Sequence, residues 1–156
     1  MPTSRNALLL VAAVSLALVG AALYLQHVKD MLPCPLCVIQ RYAFLGIAIF
    51  SLIGAFANKI KALGTVALLC ALGGLATVGK HLYVLAHPGF SCGIDPMETM
   101  LNKIPTATML PWLFRADGLC EAAQDPVFGL NVPQWSAVWF VILTLALIWV
   151  LVRRAR

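Results

Sequence analysis

Charge is scarce in this sequence, and acidic charge scarcer still: 11% of the 156 residues are charged, and Asp and Glu together number six. Soluble domains carry roughly 25% charged residues, so the composition, 62% hydrophobic, excludes one and describes a membrane protein. The absences are also positional. The stretch 7–25 holds no charge, 38–57 is broken only by Gln40 and Arg41, and 62–79 and 136–152 are uncharged. Each approaches the roughly 20 residues that cross about 30 Å of hydrocarbon as a helix. The expected fold is therefore all-α, a four-transmembrane-helix bundle forming a single membrane domain, 1–156, with outer loops at about 26–37 and 80–135. No small-residue cleavage pattern follows the first run, which is too long for the core of a signal peptide, so it is read as a retained helix. No internal repeat, low-complexity tract or second domain is visible.

Acids are missing altogether from one side of the membrane. Arg5, Lys59, Lys61, Arg153, Arg154 and Arg156 fall there unaccompanied. Asp30, Asp95, Glu98, Asp117, Glu121 and Asp125 all lie on the other side, with Lys29, Lys80, Lys103 and Arg115. The positive-inside rule then places both termini and the 58–61 turn in the cytoplasm. The net charge of +5 reflects that topology, and no nucleic-acid partner is read from it.

Against this background the cysteines stand out. Cys34 and Cys37 end the first outer loop, and Cys92 and Cys120 lie in the second, so four of the five face a compartment where disulfides form. Cys70, in the middle of the third run, reads as a small apolar packing residue. The second outer loop is long enough to carry structure of its own. Asp95-Pro96-Met97-Glu98 has a cap acid, proline in the first helical position and a following glutamate, a helix-start signal. Met97, Met100, Leu101 and Ile104 follow at helical spacing, which predicts a short amphipathic helix in the bilayer interface. The 109–114 stretch is too short to span and too apolar to be fully solvated. Interfacial contact is expected there as well, with Trp112 and Trp135 as belt residues; the alternative is a small packed cap outside the membrane.

The chemistry concentrates in Pro33-Cys34-Pro35-Leu36-Cys37-Val38-Ile39-Gln40-Arg41. Pro35 suits the first helical position and biases Cys34 away from helical geometry, so Cys34 is the expected cap and Cys37 the third helical residue. Cys37 then sees the positive end of the helix dipole, and Arg41 lies on the same face about 6 Å further along. Both favour a thiolate, the reactive form. An arginine at a span end can simply reach the headgroups; one turn from a CxxC it is better read as holding a polar or anionic cofactor beside Cys37.

A CxxC alone serves metal binding, structural bridging or redox exchange. The 28-residue separation of Cys92 and Cys120 argues against a closed zinc site, and no metal ligand is assigned. His27, His81 and His87 also lie on the outer side, which keeps a soft-metal binding or transport protein as the alternative. A third class, a disulfide-stapled structural protein, would gain about 3.5 kcal/mol from bridging Cys92 to Cys120 but leaves Arg41 and the CxxC unexplained.

Taken together, Gln26-His27-Val28, Cys34-Pro35-Leu36-Cys37, Arg41, the pair Cys92 and Cys120, and Leu130-Asn131-Val132-Pro133-Gln134-Trp135 resemble the bacterial disulfide bond formation protein B (DsbB) family, inner-membrane quinone reductases that reoxidise the periplasmic oxidase DsbA. The resemblance runs from about 26 to 135 and implies a thiol:quinone oxidoreductase, with ubiquinone or menaquinone as cofactor and a DsbA-type thioredoxin-fold oxidase as partner. It implies that Cys92 is attacked by the partner's thiolate and that Cys120 resolves. Cys120 then attacks Cys34, which frees Cys37 as a thiolate against the quinone. Arg41 matches the family's quinone-site arginine, and His81 is a looser candidate for the same site. A quinone is needed because ordinary structural disulfides lie below about −300 mV, while DsbA, an established strong oxidant, lies at about −120 mV. For two electrons that gap opposes transfer by roughly 8 kcal/mol.

Overall fold

The computed structural model describes residues 4–87, 94–118 and 126–155. Four long helices dominate: α1 (Ser4–Val28), α2 (Pro35–Phe56), α3 (Ile60–Ala86) and, at the end of the chain, α7 (Val132–Ala155). All four are long and apolar enough to cross a membrane, as the uncharged runs predict. Between α3 and α7 the described residues form three short helices, α4 (Ile94–Asn102), α5 (Pro105–Met109) and α6 (Pro111–Phe114), and a two-stranded antiparallel ribbon, β1 (Pro126–Val127) and β2 (Leu130–Asn131). The third helix runs seven residues past 79, where the loop was expected to begin. Nothing in 80–86 breaks a helix, and His81 and Val84 both turn inward and are buried.

In the bundle, α2 packs against both α1 and α3, and α7 closes chiefly on α3. Lipid is as apolar as the side chains, so close van der Waals packing over small residues replaces the hydrophobic drive available in water. Gly74 shows how tight this is. Phe140 of α7 is fully buried and stacks on Phe44 of α2, ring centroids 4.1 Å apart. A Cβ on Gly74 would lie 2.1 Å from the Phe140 ring. Cys70 plays the packing role expected of it, its sulfur seated where a Cβ on Gly46 would come within 2.9 Å. Leu10, Ile49, Leu69 and Leu145 point outward and are exposed, as the lipid-facing side of a span requires. The α2–α3 turn uses Asn58 at φ 55°, a left-handed position that asparagine tolerates well.

The outer segment also packs on the bundle. Much of 101–118 forms a packed cap: Ala107, Phe114 and Ala116 are buried against Val38, and Phe114 stacks on Tyr42 at 4.3 Å. Asn102 staples the cap by accepting from the Ala116 amide (2.9 Å) and donating to its carbonyl (3.1 Å). The reason is geometric: the proline-started turns of α5 and α6 fold the chain back, so its apolar residues find α2. Of the large apolar side chains in 97–114, only Met100, Met109 and Trp112 remain at least half exposed. Trp135 ties the ribbon to the start of α7, its indole N–H donating to the Val127 carbonyl at 2.7 Å.

Gly74→Ala should destabilise the bundle by about 1–3 kcal/mol, the usual result of overpacking, whereas Gly73→Ala, with nothing within 4 Å of its new Cβ, should not. Thermal unfolding in detergent measures both, and equal midpoints would refute the tight α3–α7 contact.

Candidate active site

The head of α2 is built as its sequence predicts. Cys34 is the cap residue, extended at φ −78° and ψ 166°, with Pro35 in the first turn. The Cys37 amide donates to the Cys34 sulfur at 3.2 Å, and the Cys34 thiol donates to the Cys37 sulfur at 2.8 Å. Cys34 is fully buried and Cys37 half-buried. The hydrogen bond to Cys37, together with burial, pushes the Cys34 thiol far above the ordinary thiol range. The pair is thus asymmetric: Cys34 keeps its proton, and Cys37 accepts one.

Two clamps hold this helix head. The amides of Asp117 and Gly118 both donate to the Pro33 carbonyl, at 3.2 and 3.0 Å. A side chain on Gly118 would collide with the Leu32 carbonyl, its Cβ only 2.3 Å away, so only glycine lets the second outer loop press this close to the first. The other clamp is Arg41, which is buried although it lies inside a span. Its Nη1 donates to Gln26 Oε1 at 2.7 Å and to the Leu113 carbonyl at 2.8 Å, while Gln26 Nε2 donates to the Trp112 carbonyl at 3.2 Å. A buried cation is tolerable only with its donors satisfied. Here the partners are neutral oxygens from α1 and the cap. The nearby Arg115–Asp117 ion pair is largely exposed and adds little.

Cys37, Gln40 and Arg41 line a cavity of about 760 Å³ between α1, α2 and α7. Its walls are mostly apolar, Leu18, Val19, Phe44 and Trp139 among them. The structure brings Cys34, Cys37 and Arg41 together. His81 joins them from α3, fully buried, with Nε2 3.8 Å from Cys34 Sγ. Its Nδ1 meets Gln40 Nε2 at 3.4 Å. One ligand atom each from Cys34, Cys37 and His81 lie within 4.8 Å of one another; among the described residues no fourth donor completes the set of a closed zinc site. Cys92 and Cys120 lie outside the described residues. Sequence reasoning gave no role to Gln26 and Gln40. Each had a signal, as a polar residue bordering or interrupting an apolar run.

Comparison with known proteins agrees with this geometry. Residues 4–150 match the family model described as Disulfide bond formation protein DsbB. The chain is 53% identical over 150 residues to the Disulfide bond formation protein B of Herminiimonas arsenicoxydans, covering 95% of each chain. It is 48% identical over 154 residues to that of Ralstonia nicotianae, covering 98% of this chain and 97% of the relative. With that of Cupriavidus necator the identity is 51% over 154 residues, covering 98% and 96%.

Gln26→Leu should loosen the cap, since hydrogen bonds to charged groups contribute about 1.5–3 kcal/mol. Limited proteolysis within 104–118 should accelerate and the unfolding midpoint should fall. If neither changes, the Gln26 clamp does not hold the cap.

Proposed function

The chain belongs to the disulfide bond formation protein B family of membrane proteins, and on that premise we propose that it is a thiol:quinone oxidoreductase that reoxidises a periplasmic DsbA-type dithiol oxidase. The observation that carries this reading is Cys37 opening onto an apolar cavity beside a buried arginine. A quinone head is flat and largely apolar, with carbonyl oxygens that accept hydrogen bonds. Arg41 and Gln40 supply donors next to Cys37, and Leu18, Val19, Phe44 and Trp139 suit an isoprenoid tail. The volume lies within the roughly 300–1,000 Å³ of small-molecule sites. The residues present fit the group, ubiquinone or menaquinone. When bound, it supplies a two-electron, two-proton acceptor.

The protein's own sulfurs do the rest. In this proposal a partner thiolate attacks Cys92 of a Cys92–Cys120 disulfide, and the partner's second thiol releases it oxidised. The Cys120 thiolate then attacks Cys34 of the Cys34–Cys37 disulfide, and the electron pair leaves on Cys37. Cys92 closes back onto Cys120, and Cys34 and Cys37 are left reduced beside the cavity. Gly118, two residues before Cys120 in sequence, is hydrogen-bonded to Pro33 next to Cys34, which supports exchange between the loops. Cys37 stands at the third helical position, in the first turn of α2 and at the cavity wall. Arg41, fixed by Gln26 and the cap, holds positive charge where electrons leave the protein. The basic residues at the far end of the bundle support cytoplasmic termini and outward cysteines in the bacterial inner membrane.

Purified protein mixed with reduced oxidase and quinone should consume quinone, followed by its absorbance, and Cys37→Ser should abolish turnover; turnover retained in that variant would remove Cys37 from the electron path. Arg41→Met should raise KM for quinone about tenfold or more, the equivalent of losing a hydrogen bond from a charged donor. An unchanged KM in initial-rate measurements would place the quinone elsewhere.

A further inference from the structure

His81 is the buried polar group that the proposed electron path leaves unused. It sits on α3, not on the helix that carries the cysteines, and none of its surface is exposed. Its Nε2 is 3.8 Å from Cys34 Sγ, within the reach of a hydrogen bond to sulfur, and its Nδ1 side is met by the Gln40 amide at 3.4 Å. Thiol, imidazole and amide in that order form the arrangement of an activated nucleophile: a base within reach of the sulfur and a third group that orients the base. Gln40 is suited to the third role because its amide can turn. Its oxygen accepts from Nδ1–H when Nε2 must take a proton, and its NH₂ donates to Nδ1 when Nε2 carries one.

Disulfide closure requires a proton acceptor at this position. When the Cys37 sulfur is bonded to a leaving group, Cys34 must attack it as a thiolate, yet Cys34 is fully buried and holds its proton. Among the described residues, Cys34 Sγ meets the Cys37 sulfur, the backbone amides of Leu36 and Cys37, and His81 Nε2. The amides cannot accept a proton, and the Cys37 sulfur no longer can once it is bonded. The other charged group near the pair, Arg41, lies on the cavity side and is a donor only.

We propose that His81 is a catalytic base of the cysteine pair: Nε2 takes the Cys34 proton as the Cys34–Cys37 bond closes and returns it to the departing group, while Gln40 orients the ring. The proposal rests on Cys34 and Cys37 being a redox pair but not on the quinone. It therefore has a quinone-free test in the full-length protein carrying Cys70→Ala, Cys92→Ala and Cys120→Ala, reduced and stripped of quinone. Methyl methanethiosulfonate transfers a methylthio group to the Cys37 thiolate and releases methanesulfinate. Cys34 then displaces methanethiolate from Cys37: the Cys34 proton passes to His81, the Cys34–Cys37 bond forms, the S–S bond to the methyl group breaks, and the methanethiolate leaves protonated by His81. Intact-mass measurement over time separates the methylthio adduct from the closed disulfide.

General-base catalysis contributes typically about 10²–10⁴-fold, so His81→Gln should accumulate the adduct and close it slower by a factor in that range. Closure in the protein that retains His81 should level off with rising pH. In His81→Gln it should keep rising about tenfold per pH unit, because only the thiolate already present can attack. Gln40→Leu should slow closure by less, and Lys80→Gln, an exposed neighbour, should not change it. Equal closure rates and parallel pH profiles with and without the His81→Gln substitution would overturn the role of His81. If the adduct never closes even with His81 present, the redox-pair reading itself fails, a distinct result. Should His81→Gln unfold, the Gln40→Leu rate and the pH profile of the protein that retains His81 decide the matter, and a profile that never levels off overturns the proposal.

Discussion

Burying the Arg41 guanidinium within a membrane span constrains everything around the site. A cation there must have its donors satisfied or the helix will not sit at that depth. The oxygens that answer it come from Gln26 on α1 and from the backbone of Leu113 in the cap. One side chain therefore ties together two spans and the outer segment. The cap that it anchors also reaches the first loop, where Asp117 and Gly118 grip Pro33. That grip sets the position from which Cys34 begins its helix.

The site that results is divided into two sides. On one, Cys37 and Arg41 face a cavity walled by apolar side chains, suited to a lipid-borne oxidant. On the other, Cys34 is sealed from solvent against His81, whose ring is met by Gln40 from the cavity wall. Low dielectric strengthens the few polar contacts on each side. The CxxC lies on the boundary, so its two sulfurs are chemically unequal even though they are three residues apart. That inequality, one sulfur protonated and one open to the cavity, is what a pair handing electrons in a fixed direction needs.

Much of this was legible in the chain because it depends on local physics. Uncharged runs must be helices in lipid, since no other open structure satisfies the backbone there. Proline after Cys34 starts a helix, and that start was found where expected. Arg41 was marked by its cost. The cap was less legible. The apolar pattern of 97–114 suits either the bilayer surface or a neighbouring helix, and a sequence does not distinguish two apolar surroundings. The surroundings of His81 were less legible for a related reason: its distance along the chain from a loop says nothing about which way its helix is rotated.

What the sequence determined by itself was thus the set of spans, the capped cysteine pair and the charge one turn beyond it, all consequences of neighbours within a few residues. Only the tertiary structure decided that Gln26 and Leu113 receive Arg41, and that His81 meets both Gln40 and Cys34, the latter 47 residues away in the chain. Those meetings depend on how the helices rotate and how closely they approach. Such choices are made by packing, as at Gly74 against Phe140, and packing is a property of surfaces that do not yet face each other in an unfolded chain.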